Sequence, residues 1–269
     1  MCKVVPSDFP ECGSSPARGT MCSVDVASET LRPTQALVGM LEIQCKTDRY
    51  ASMSSDDLQK YWGKHVVPAV VGPGGDLFIT DHHHSTLALL RADRKPSDRL
   101  VLINVTHNFE SEASLAAFWS RMLDEGLLWL FDDKDRAPMH PNLLPTTLLR
   151  MVNDPYRSLV WGVRNNGGYG VVDSSSYQDF LYAQFLRQYD LLPAPGAGRR
   201  GTLRGAAPRW SFCEAAPFNS ELCYGQGAAA VGAAIGKAVS LARSDAAKDL
   251  PGWGQGQVDY PDCGNATAV

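Results

Sequence analysis

From Leu31 onward the chain alternates short apolar runs with amphipathic stretches, and the two periodicities mark out different elements. Val66 to Val71 is an unbroken β-prone run. Leu77-Phe78-Ile79 follows it across the turn signal Gly72-Pro73-Gly74-Gly75, and Arg99 to Val105 (RLVLINV) reads as a further strand. Ala36 to Cys45 alternates apolar and polar residues around Val38, Met40, Leu41 and Ile43, which reads as extended chain. The helical stretches carry apolar residues at spacings of three and four. Ser54 to Trp62 opens on a Ser-Ser-Asp-Asp cap, and a helix carrying Leu87, Leu89 and Leu90 follows Ser85-Thr86. Ser111 to Leu130 places Leu115, Phe118, Trp119, Met122 and Leu123 inward, a helix starts after Pro155, and Tyr177 to Tyr189 is another. The Ala/Gly-rich stretch from Gly225 to Arg243 is either a tightly packed helix or a tail, because its glycines weaken a helix.

These elements predict an α+β fold with a small mixed sheet flanked by helices. Residues 1–28, rich in Pro, Gly, Ser and Cys without periodicity, read as an irregular arm. Residues 29–190 form the core domain, and 191–269 are a linker with an Ala/Gly-rich extension.

With 269 residues and 44 % hydrophobic content, the chain can bury one substantial core or two small ones. It has no apolar run near the roughly 20 residues that a membrane span needs, so no membrane partner is expected. A net charge of −4 argues against a protein that coats nucleic acid through a broad basic surface. Arg199, Arg200, Arg204 and Arg209 form a local basic stretch among Gly, Pro and Ala, read as a solvated linker.

The seven cysteines frame the chain: Cys2, Cys12, Cys22 and Cys45 come early, and Cys213, Cys223 and Cys263 come late. None has Cys-x-x-Cys spacing, so disulfides joining the two ends are expected rather than a zinc knuckle or a dithiol motif. The sequons Asn104-Val105-Thr106 and Asn265-Ala266-Thr267 suit a secreted chain, whereas Met1 to Thr20 lacks the apolar region of a signal peptide. Either a signal was trimmed or the chain is intracellular with free thiols.

The chemistry concentrates at Asp81-His82-His83-His84-Ser85-Thr86, a junction between strand and helix. A helix N-terminus carries the positive end of the dipole and suits an anion, and imidazoles there can donate hydrogen bonds, move protons or bind a metal. Two of the three histidines are expected to face a common cleft. The blander alternative is that Asp81 caps the helix and the histidines are surface residues. A second cluster lies at Asn153-Asp154-Pro155-Tyr156-Arg157-Ser158. On a helix starting after Pro155, Arg157 and Arg164 share one face, where they could grip a phosphate or pair with a local acid while Asp154 caps the helix.

The segments LRPTQALVGMLEIQCK, KHVVPAVVGPGGDLFITDHHHSTLAL and NDPYRSLVWGVRNNGGYG resemble the ParB-like nuclease family, within the ParB/sulfiredoxin fold, over roughly Leu31 to Arg187. The resemblance implies a ParB/sulfiredoxin-like core with Cys-containing extensions, and a phosphate-binding turn often written Gly-x-His-Arg. In this chain His82 stands where Gly is usual and Ser85 where Arg is usual, which removes a bidentate phosphate clamp. The resemblance implies a metal-assisted phosphoester hydrolase. In it Asp81, His83 and His84 hold a divalent metal or move protons, Glu42 serves as base or ligand, and Lys64 neutralises developing charge. His82, Ser85, Thr86, Arg157 and Arg164 would then hold the phosphate of a small-molecule or nucleotide ligand. The alternatives are an ATP-dependent small-molecule phosphotransferase, as in the superfamily's serine-kinase branch, and a non-catalytic binding module.

Overall fold

The structure is a computed structural model that describes residues 4–133, 138–172, 177–192 and 225–256. It divides into two compact units, one of residues 1–36 and 45–151, the other of 37–44 and 152–269.

The first unit is built on a curled mixed sheet of five strands. Its strands are β1 (Met21–Asp25), β2 (Leu31–Pro33), β4 (Val67–Val71), β5 (Leu77–Ile79) and β6 (Leu100–Asn108), in the order β1-β6-β4-β5-β2. β6 pairs antiparallel with β1 and parallel with β4, while β5 pairs antiparallel with β4 and parallel with β2. β4 is nearly continuous in buried apolar residues, as a strand covered on both faces should be, and β6 is so over its stretch Val101, Leu102 and Ile103. Phe78, Phe118, Trp119, Met122, Leu128 and Leu144 close the core on one side.

Helix α1 (Met40–Ser52) replaces the extended chain expected over the first part of this region, and only Leu37–Val38 forms a strand, β3. The buried positions Met40, Ile43, Thr47 and Tyr50 are three and four apart, so a 3.6-residue period governs the segment. The apparent alternation arose because Val38 and Met40 lie on either side of the junction where strand gives way to helix.

Helix α2 (Ser55–Trp62) is capped by Ser54, whose side chain accepts from the Asp57 N–H, as its sequence predicts. Helix α3 (His83–Arg91) follows β5. Helix α4 (Leu115–Asp124) is shorter than expected: Ser114 caps its start, and Gly126, at φ 67°, lies just past its end. Its buried stripe is Phe118, Trp119 and Met122. Leu115 and Leu123, expected inward, are exposed because they lie beyond the edge of that narrow stripe.

The second unit pairs β3 in parallel with β7 (Val152–Asn153) and packs α5 (Pro155–Asn165) against α6 (Gln178–Arg187) and α7 (Gly225–Arg243). The Ala/Gly-rich stretch is therefore a helix. Gly39 is required where chains approach closely: a Cβ there would lie 2.9 Å from the Arg157 carbonyl carbon.

One further expectation is corrected. The N-terminal arm is not wholly irregular, because Cys22, Val24 and Val26 are buried at alternate positions and residues 21–25 pair with β6. One disulfide of the first unit is local, joining Cys12 to Cys22, and Cys45 is disulfide-bonded as well. The arginine stretch 199–209 and the sequon at Asn265 lie outside the described residues.

Candidate active site

The turn from β5 into α3 is set by its backbone. His82 is the N-cap of α3 and is left-handed, at φ 62° and ψ 18°, the conformation for which glycine is the natural residue. Its N–H donates to Asp81 Oδ1 at 2.6 Å, so Asp81 ties down the turn from one residue before the cap. Thr86 Oγ1 donates back to the carbonyls of His82 and His83, at 3.0 and 3.1 Å, which closes the first helical turn.

Two of the three histidines, His83 and His84, are buried, and His82 is half-buried. Nε2 of His83 accepts the backbone N–H of Thr34 at 3.1 Å. An amide only donates, so this nitrogen carries no proton and is already engaged by the fold.

Ser85 lies in the first turn of α3 and receives the ammonium of Lys46, whose Nζ donates to Ser85 Oγ at 2.9 Å. Lys46 is on the part of α1 that packs against α3 within the first unit, where Thr47 Oγ1 donates to the Ala88 carbonyl at 3.3 Å. Tyr50, one turn further along α1, is fully buried, hydrogen-bonds Ser85, and has its hydroxyl 3.2 Å from that of Tyr61. Burial first, and the neighbouring Tyr61 second, push the Tyr50 phenol well above its usual range, so it stays protonated.

Tyr61 extends this cluster. His65 stacks on its ring at 3.8 Å, and the Arg49 guanidinium sits 5.1 Å from the ring centroid. His65 also meets His82 edge to face at 6.4 Å. Lys46, Arg49, His65 and His82 thus gather positive or proton-carrying groups around the N-terminus of α3, where the helix dipole is also positive. Sequence reasoning did not find Lys46, Tyr50, Tyr61 or His65 as a group. Lys64, which it named, is exposed at the end of α2 with its backbone N–H on the Tyr61 carbonyl.

Glu42, Arg157 and Arg164 belong to the second unit. Arg157 and Arg164 do lie on one face of α5, and both donate to Asp179 Oδ2 on α6, at 3.2 and 2.6 Å. Tyr169 donates to the other oxygen at 2.6 Å, and Glu42 Oε1 lies 4.0 Å from Arg164. Burial alone would raise the Asp179 carboxyl, but the Arg164 and Arg157 charges outweigh it and hold the group below its usual range. Asp154 caps α5 by accepting the Tyr156 N–H at 2.9 Å, and it also receives Arg187 at 2.8 Å. The two arginines thus meet a local acid, with Asp154 as the cap.

Among the described residues no three His, Cys, Asp or Glu side chains are grouped to hold a metal ion. Asp81, His83 and His84 are adjacent in sequence, but Asp81 is exposed on the turn while the two histidines are buried in α3. The donors present do not fit the metal set that the sequence suggested.

The first unit is thus a mixed α+β domain in which cations line a helix N-terminus, an arrangement that suits an anion. Residues 24–188 match the family model described as "Putative ParB-like nuclease", and the chain belongs to that family. The crystal structure of protein Atu1540 from Agrobacterium tumefaciens is similar, with a TM-score of 0.62 and 26 % sequence identity. That similarity covers 87 % of this chain and 96 % of the other. No curated protein matches the sequence.

Proposed function

We propose that the chain is a phosphoester hydrolase whose substrate phosphate docks at the first turn of α3. The observation that carries this reading is Lys46 Nζ donating to Ser85 Oγ at 2.9 Å. Ser85 occupies the position where the family resemblance leads one to expect arginine, and Lys46 brings a cation to that position from another helix. An ammonium is a point charge rather than a planar fork, so it suits a phosphate that is stabilised in the transition state more than a nucleotide gripped tightly in the ground state.

The substrate phosphate would meet Lys46, the Ser85 hydroxyl and the positive end of the α3 dipole, with His82 at the rim. Half-buried Lys46, His65 and His82 leave room for water, the nucleophile of hydrolysis. No step is routed through a metal, because the donors in the turn do not form a ligand set.

The Cys12–Cys22 disulfide favours the hydrolase over an ATP-dependent phosphotransferase. Disulfides persist in oxidising compartments, where nucleoside triphosphate is scarce. The acidic net charge favours a small phosphoester over a nucleic acid.

The test is steady-state hydrolysis of bis(p-nitrophenyl) phosphate and p-nitrophenyl phosphate by the wild type and by Lys46→Met. Turnover by the wild type, lost in Lys46→Met and partly restored in Lys46→Arg, supports the reading. Absence of turnover on both substrates, together with thermal stabilisation by ATP and Mg²⁺, would replace it with the phosphotransferase.

A further inference from the structure

His83 and His65 both hydrogen-bond the backbone, and they do so in opposite senses. His83 uses Nε2 to accept an amide N–H, which consumes the lone pair of a neutral ring. His65 places Nδ1 2.7 Å from the carbonyl oxygen of Tyr61. A carbonyl only accepts, so Nδ1 of His65 bears the proton and the lone pair of the neutral ring is on Nε2.

That Nε2 has no partner among the described residues, and the side chain is half-buried, open to water. The ring is not free to swing. It lies at 16° to the Tyr61 ring with centroids 3.8 Å apart, and Tyr61 is fixed by the Tyr50 hydroxyl at 3.2 Å and by Arg49 across its ring. The ring meets His82, the N-cap of α3, at the site where the phosphate is placed.

We propose that His65 is the general base of the site, taking a proton from the attacking water through Nε2. This rests on the hydrolase reading above. As the water oxygen forms its bond to phosphorus, its proton passes to His65 Nε2. The bond from phosphorus to the leaving oxygen breaks, and the proton is returned to that oxygen or to solvent, so the ring ends neutral. Backbone anchoring of Nδ1 fixes the tautomer that this step requires, and the Tyr61 stack fixes the direction of the lone pair.

A purely structural His65 would close the end of α2 through the same carbonyl bond. Glutamine can keep that bond through its amide N–H but cannot take a proton, so His65→Gln separates the two roles. The experiment measures kcat and KM for bis(p-nitrophenyl) phosphate in wild type and His65→Gln, alongside thermal unfolding and ¹⁵N NMR of the histidine rings. The expected result is a loss of roughly 10²–10⁴-fold in kcat with KM and melting temperature unchanged. The wild-type His65 ring should show the Nδ1–H tautomer. Wild-type turnover that survives in His65→Gln, or an Nε2–H tautomer, overturns the role of His65 and leaves the hydrolase intact. A wild type without turnover overturns both.

Discussion

His83 Nε2 accepts the backbone N–H of Thr34 at 3.1 Å, and Thr34 Oγ1 in turn donates to the Ile79 carbonyl at 2.9 Å. The imidazole therefore satisfies an amide next to β2 at the point where β5 ends and the site begins. The most buried histidine of the turn thus supports the strands at this junction.

Replacing His83 with alanine should cost about 3 kcal/mol of folding stability, from the cavity left by a buried ring and the stranded Thr34 N–H. His83→Gln, which offers an acceptor of similar reach, should recover part of this. Urea unfolding of the three proteins measures it, and an alanine variant as stable as the wild type would show that the bond is not formed in solution.

His82 holds a left-handed backbone without being glycine, at φ 62°. Histidine tolerates this region better than most residues, but the conformation still costs about 1 kcal/mol or more. His82→Gly removes the strain and raises the entropy of the unfolded chain, so stability should rise by up to about 1 kcal/mol, whereas His82→Val should lose more than that. Thermal unfolding of both variants gives the signs. A destabilising glycine substitution would mean that the imidazole contributes more through His65 than its backbone costs.

Much of the fold was legible because its elements obey a single period. The β4 and β6 runs, the Ser54 cap and the helix after Pro155 follow from apolar spacing and capping residues within a few positions of one another. The site was legible only where it is continuous in sequence, as at residues 81–86. Lys46 and Tyr50 face Ser85 only once Met40 to Ser52 is read as a helix, and an accidental alternation at its start hid that period. His65 was passed over in favour of its neighbour Lys64, because the bond that orients it runs to a backbone carbonyl, which leaves no trace in the sequence. Asp179 lies 22 residues from Arg157 and carries no local signal that it would meet two arginines.

The Cys12–Cys22 disulfide closes a loop with a sequence separation of 10 and fixes the N-terminal segment to β1, an edge strand of the sheet. A loop of this size is worth about 2–3 kcal/mol by restricting the unfolded chain. Cys12→Ser should lower stability by that amount under oxidising conditions. If the wild type shows the same melting temperature with and without reductant, the disulfide is not holding the arm.

Asp179 and Asp154 make opposite contributions to the pH dependence of stability. The folded Asp179 carboxyl is held below its unfolded value, chiefly by Arg164 and Arg157 acting against burial. Its stabilisation is present above the unfolded value near 3.8 and is lost as pH falls through the folded value. Asp154 is raised by complete burial, against the pull of Arg187. Its favourable contribution is present below the unfolded value of 3.8 and declines as pH rises through the folded value. Urea unfolding at pH values on both sides of the carboxylate range should therefore show Asp179→Asn with a shallower loss of stability in acid than the wild type. The same variant should lose about 3–5 kcal/mol at neutral pH, because a buried and a partly buried guanidinium are left without their shared carboxylate. An acid limb as steep in Asp179→Asn as in the wild type would place the titrating group elsewhere and would break the link between this network and the acid stability of the second unit.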